Sequence, residues 1–158
     1  MRKRTDYRLR LRLLKSGKPR IVARKSLNRI VAQIIRYEPK GDIVVAEKTS
    51  VDLAQFGWNG HKGNIPAAYL TGLLIGLEGA KNSIEEAVLD FGMQRVTKGC
   101  ALLAFSKGVK DSGMKIKIDE DAMPSDERTR GKDIEKYTKK SIAENFEAAK
   151  KKIIESYR

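Results

Sequence analysis

The sequence predicts an α/β fold: a mixed sheet with three initial antiparallel strands followed by helix, strand and helix. Three observations point to it. Short β-branched runs, separated by turn-forming residues, crowd the first fifty positions. A long Ala/Leu/Gly segment behind a capping asparagine follows them, and a short apolar run then precedes a second helical period. To this core the sequence adds a basic N-terminal arm and a C-terminal helix. The expected organisation is an arm over residues 1–19, an α/β core over 20–118, and a connector with a helical extension over 119–158. A chain of 158 residues with 41% apolar content can bury one such core.

In the arm, basic side chains alternate among Leu9, Leu11, Leu13 and Leu14 until Ser16-Gly17-Lys18-Pro19 interrupts any period. Extended, it reaches on the order of 60 Å, although its leucines also suit local folding or docking. Residues 20–26 and 29–37 carry Ile, Val and Ala in strand-like runs, and Asn28 suits the reversal between them. Glu38-Pro39-Lys40-Gly41 has Pro second and Gly fourth, as in a type I turn, and leads to a third antiparallel strand over 42–48. Asn64 caps a helix that tolerates Pro66 in its first turn and continues through Ala67, Leu70, Leu73 and Leu77. Gly72 and Gly76, four apart on that helix, predict close packing on the sheet.

Residues 87–91 read as a buried strand. Thr97 reads as the cap of a helix carrying Ala101, Phe105 and Val109, and residues 115–118 as a short edge strand. A polar connector covers 119–131. Beyond it, Ile134, Tyr137, Ile142, Phe146, Ala149 and Ile153 define one amphipathic helix.

Charge is distributed very unevenly. The first forty residues hold fourteen Lys and Arg against Asp6 and Glu38, so they carry twelve of the thirteen net positive charges, and the remaining residues are nearly neutral. Such segregation raises self-repulsion, which a polyanion relieves by releasing counterions as its phosphates are neutralised. Nucleic acid is therefore the expected partner. Its expected contacts are Arg2, Lys3, Arg4, Tyr7, Arg8, Arg10, Arg12, Lys15 and Lys18 of the arm, with Arg20, Arg24, Lys25 and Arg29 of the hairpin. Asn28 or Gln33 would reach a sugar or base edge.

The loop Phe56-Gly57-Trp58-Asn59-Gly60-His61-Lys62-Gly63-Asn64 is the second candidate. Its glycines permit close backbone approach, Trp58 or His61 could stack on an exposed base, and Lys62 could meet a phosphate. Trp58 serves equally well as a core plug. No Gly-Lys-Ser or Gly-Lys-Thr follows, so this is not a nucleotide-hydrolysing phosphate loop.

Other classes find little support. The longest apolar stretch, residues 65–77, contains Thr71 and is too short to span a hydrocarbon core of roughly 30 Å, so no membrane partner is expected. The single Cys100 fits a reducing cytosol and a packing role. No cofactor, metal site or catalytic residue is predicted. The strand order resembles that of ribonuclease-H-like nucleases, but Ile21-Val22-Ala23-Arg24-Lys25 offers cations where that chemistry gathers carboxylates around metals, and Asp90 stands alone on its strand. A ribonuclease-H-like RNA-processing enzyme and a general architectural nucleic-acid binder remain the alternatives.

Several motifs together are more specific than charge. They are Thr5-Asp6-Tyr7-Arg8, Lys15-Ser16-Gly17-Lys18-Pro19-Arg20, Arg24-Lys25-Ser26 and Ile30-Val31-Ala32-Gln33-Ile34-Ile35, then Gly57-Trp58-Asn59-Gly60-His61-Lys62-Gly63-Asn64-Ile65-Pro66-Ala67-Ala68-Tyr69-Leu70-Thr71-Gly72-Leu73-Leu74. Thr97-Lys98-Gly99 and Pro124-Ser125-Asp126-Glu127-Arg128-Thr129-Arg130-Gly131 complete the set. In this order, over about four-fifths of the chain, they closely resemble the archaeal form of the universal large-subunit ribosomal protein eighteen family, which binds 5S rRNA and is related to eukaryotic large-subunit protein five. The resemblance implies an α/β core with a basic terminal arm and a non-catalytic role in the ribosome. It further implies a place in the central protuberance, in contact with 5S rRNA, the larger rRNA and neighbouring ribosomal proteins. Val96 and Thr129 depart from the expected pattern, which has Pro and Ile at these positions.

Overall fold

Period-two alternation in the first strands sets the layering of the molecule. The computed structural model describes residues 5–138 and 141–157. In it, β1 (Arg20–Lys25), β2 (Ile30–Arg36), β3 (Ile43–Thr49) and β4 (Val88–Asp90) form one mixed sheet in the order β3-β2-β1-β4. The first three strands are antiparallel, and β4 joins β1 in parallel, Val22 standing opposite Asp90. Ile21 faces Ile34 and Ala23 faces Ala32 across the first hairpin, and all four are buried. Their neighbours Arg20, Val22 and Arg24 point to the opposite face of the sheet, as the alternation requires.

A parallel β1–β4 pair needs a crossover, which α2 (Ile65–Lys81) supplies while covering the apolar face. Asn64 caps it as expected, its side-chain oxygen accepting from Ala67 N at 2.9 Å. Every residue from Pro66 to Gly76 is buried, the mark of a helix enclosed on all sides. The residues that enclose it belong largely to α3 (Ala101–Asp111). A Cβ on Gly72 would stand 2.0 Å from the Phe105 carbonyl oxygen, and one on Gly108 would stand 2.1 Å from that of Tyr69. The glycine spacing thus permits close packing, but against α3 and not against the sheet.

Other expectations need correction. Of the two forms open to the arm, extended or locally folded, residues 7–14 take the second as a helix, α1 (Tyr7–Leu14). The cap of α3 is Cys100 and not Thr97, which lies one turn earlier and accepts from Cys100 N. The edge strand at 115–118 shrinks to one parallel bridge between Glu86 and Lys115.

The expected polar connector holds a short helix, α4 (Asp126–Arg130), and the expected C-terminal helix divides into α5 (Lys132–Thr138) and α6 (Ile142–Ser156). Ser125 caps α4 and a left-handed Gly131 ends it before α5 begins. Phe146, Ala149 and Ile153 of α6 are buried, with the Phe146 ring 5.4 Å from that of Tyr69, whereas Tyr137 of α5 is 89% exposed. Thr129 is buried with its hydroxyl donating to the Ser125 carbonyl at 2.9 Å, while Val96 is exposed. Among the described residues no helix is long and apolar enough to cross a membrane.

Candidate nucleic-acid interface

An eight-residue helix rich in arginine is marginal by itself, so α1 needs help at both ends. Asp6 supplies it at the start, its Oδ1 accepting from Arg8 N at 3.0 Å and Leu9 N at 3.1 Å. Arg10 supplies it further along, with Nη2 donating to Asp42 Oδ2 at 2.9 Å. Between α1 and the sheet lies a hollow of about 410 Å³, with Leu9, Val22 and Ile35 among the residues lining it. The i, i+4, i+7 spacing of Arg8, Arg12 and Lys15 makes one stripe along the helix. All three are exposed and none pairs with a described carboxylate, and Tyr7 beside them is 71% exposed. Arg2, Lys3 and Arg4 lie outside the described residues.

Not every predicted contact faces outward. Arg20 is 4% exposed, held by Asp90 at 2.9 Å and Asp42 at 2.6 Å, so it anchors the sheet and is removed from the set of RNA contacts. Arg24 is partly committed: it donates to the carbonyl oxygens of Ala23 and Asp90 and reaches Asp90 Oδ1 at 3.2 Å, leaving its side chain 45% exposed. Asp90, isolated in the sequence, is therefore neutralised by two arginines and also accepts from Gly92 N at 2.8 Å. Lys18 pairs with Glu86, which holds that carboxyl below its usual range.

The β1–β2 turn is tied across its base. Ser26 Oγ accepts from Arg29 N and donates to Arg29 O, which projects Leu27, Asn28 and Arg29 into solvent. Gln94 then clamps the end of β1, its side chain accepting from Lys25 N at 3.0 Å and donating to Lys25 O at 2.6 Å. Nothing in the sequence marks Gln94 for this role. Gln33 lies on the open sheet face, where its amide is engaged with Glu47 at 2.5 Å.

The glycine-rich loop meets this turn. A Cβ on Gly63 would stand 2.5 Å from Leu27 O, so loop and turn pass backbone against backbone. His61 is exposed and its Nδ1 accepts from Gly63 N at 3.0 Å, which restrains the ring. Lys62 makes no ion pair with a described carboxylate. Trp58 is 2% exposed within the core, which corrects the stacking alternative: a ring enclosed there cannot meet a base. Two basic patches result, the α1 stripe and the turn with its loop.

Comparison with known proteins gives this arrangement its context. Residues 1–84 match the family model of ribosomal large subunit proteins 60S L5 and 50S L18. Over 147 residues, 93% of this chain and 76% of the relative, the sequence is 48% identical to large ribosomal subunit protein uL18 of Methanococcus maripaludis. The chain belongs to the L5/L18 family of ribosomal large-subunit proteins. As a member of the L5/L18 family it is a structural, non-enzymatic, RNA-associated protein of the large ribosomal subunit.

Proposed function

We propose that this chain binds 5S rRNA and helps to attach it in the central protuberance of the large subunit of the cytoplasmic ribosome, where it also meets the larger rRNA and neighbouring ribosomal proteins. The observation that carries this reading is the pair of basic patches on a ribosomal-family chain: Arg8, Arg12 and Lys15 on α1, and Lys25, Arg29, His61 and Lys62 around the turn. The α1 stripe neutralises phosphates without reading sequence, and the turn adds Asn28 at a sugar or base edge. Folded RNA hides its deep groove, so shape and accessible loops carry the selection.

Competition at matched ionic strength tests it. Unlabelled 5S rRNA should displace labelled 5S rRNA from the full chain at far lower concentration than an unrelated RNA duplex does. Equal displacement would replace this reading with that of a general architectural binder.

A further inference from the structure

Tyr137 is unexplained by packing. It is 89% exposed on α5, yet it is among the residues lining a hollow of about 470 Å³ with Lys25, Asn64, Arg128 and Ile134. A second hollow, about 370 Å³, is lined by His61 and shares Asn64 and Ile134 with the first, so the two adjoin. Both volumes fall in the usual range of small-ligand sites, about 300–1,000 Å³.

The charges lining the larger hollow are not balanced internally. Lys25 and Arg128 make no ion pair with a described carboxylate, whereas Asp133, the carboxylate among the lining residues, lies 3.7 Å from Lys136. An apolar partner closing over this surface would bury two uncompensated cations, which is costly. A nucleotide instead brings a flat π face for the tyrosine and a phosphate for the cations.

We propose that this hollow takes one unpaired RNA nucleotide, its base stacked on Tyr137 and its phosphate held by Lys25 and Arg128. The inference goes beyond the 5S reading and rests on it only in sharing Lys25 and His61 with the interface above.

The test measures binding of a fluorescent adenosine octanucleotide to the full chain and to Tyr137→Ala, Tyr137→Phe and Tyr137→Leu, at fixed ionic strength. Loss of one stacked base weakens binding roughly 5- to 150-fold. Tyr137→Ala and Tyr137→Leu should show that loss, Tyr137→Phe should bind as the native chain does, and thermal stability should be unchanged in all three because the side chain is exposed. An abasic strand of equal length should not distinguish native chain from Tyr137→Ala. Equal octanucleotide binding by the alanine variant overturns the proposal. So does a leucine variant as good as phenylalanine, which would mark the surface as an apolar protein contact. The 5S competition above is read separately: loss of 5S preference with an intact Tyr137 effect refutes the 5S reading alone, and the converse refutes the nucleotide site alone.

Discussion

From the sequence Arg20 reads as an RNA contact and Trp58 as either a stacking ring or a core plug, and in the structure both serve the fold. Arg20 is buried against Asp42 and Asp90, and removing it leaves each carboxylate with a single, more exposed arginine as partner, Arg10 or Arg24. Arg20→Met should therefore lower stability by about 3–5 kcal/mol, measured by urea denaturation. Adding Asp90→Asn should recover part of that loss, because it removes a buried carboxylate left with Arg24 as its remaining partner. A stability close to the native value in the single variant would contradict the role assigned to Arg20. Trp58→Ala should likewise cost about 3–5 kcal/mol through the cavity it leaves. At a temperature where that variant stays folded, its RNA affinity should equal that of the native chain, since the indole contacts protein only.

The strands were legible because β-branched alternation and the turn chemistry of Ser26–Arg29 and Glu38–Gly41 are local properties. The form of the arm was only half legible: the Asp6 cap of α1 is local, but Asp42, which holds the helix to the sheet, lies thirty-two residues away from Arg10. The spacing of Gly72 and Gly76 announced close packing but could not name its partner, since any apposed backbone satisfies it. Gly108→Ala should force α2 and α3 apart, at about 1–3 kcal/mol or more, because its Cβ meets Tyr69 O at 2.1 Å and Leu73 N at 2.8 Å. The far end of α2 is tied differently. Glu78 accepts from the Tyr157 hydroxyl just beyond α6 and lies 3.3 Å from Lys48 of β3, which holds its carboxyl below the usual range, while burial and Glu78 push the Tyr157 hydroxyl up. A depressed folded pKa stabilises the protein above the unfolded value of about 4.3, and that contribution fades as pH falls through the folded value. The stability gap between native chain and Glu78→Gln should accordingly be widest near neutrality and shrink in acid. A gap independent of pH would assign the contact to hydrogen bonding alone.

Segregated charge is a property of the molecule that no single contact explains. The sequence predicted a basic end, and the structure sorts its cations into those bound internally, Arg10, Lys18, Arg20 and in part Arg24, and those left to a partner, Arg8, Arg12, Lys15, Lys25 and Arg29. Counterion release makes that sorting measurable. If about six phosphates are neutralised, the logarithm of the 5S rRNA binding constant should fall against the logarithm of salt with a slope of about −4 to −5, between the single-strand and duplex coefficients. Replacing Arg8, Arg12 and Lys15 together by glutamine removes about three of those contacts and should flatten the slope by about 2–3. Thermal stability should hold, because none of the three pairs with a described carboxylate. Arg10→Gln is the contrasting case: it frees α1 from Asp42 and should weaken binding chiefly by loosening the helix that presents the stripe. A triple variant with the native slope would place the phosphate contacts elsewhere, and the α1 stripe would then be a solvated face.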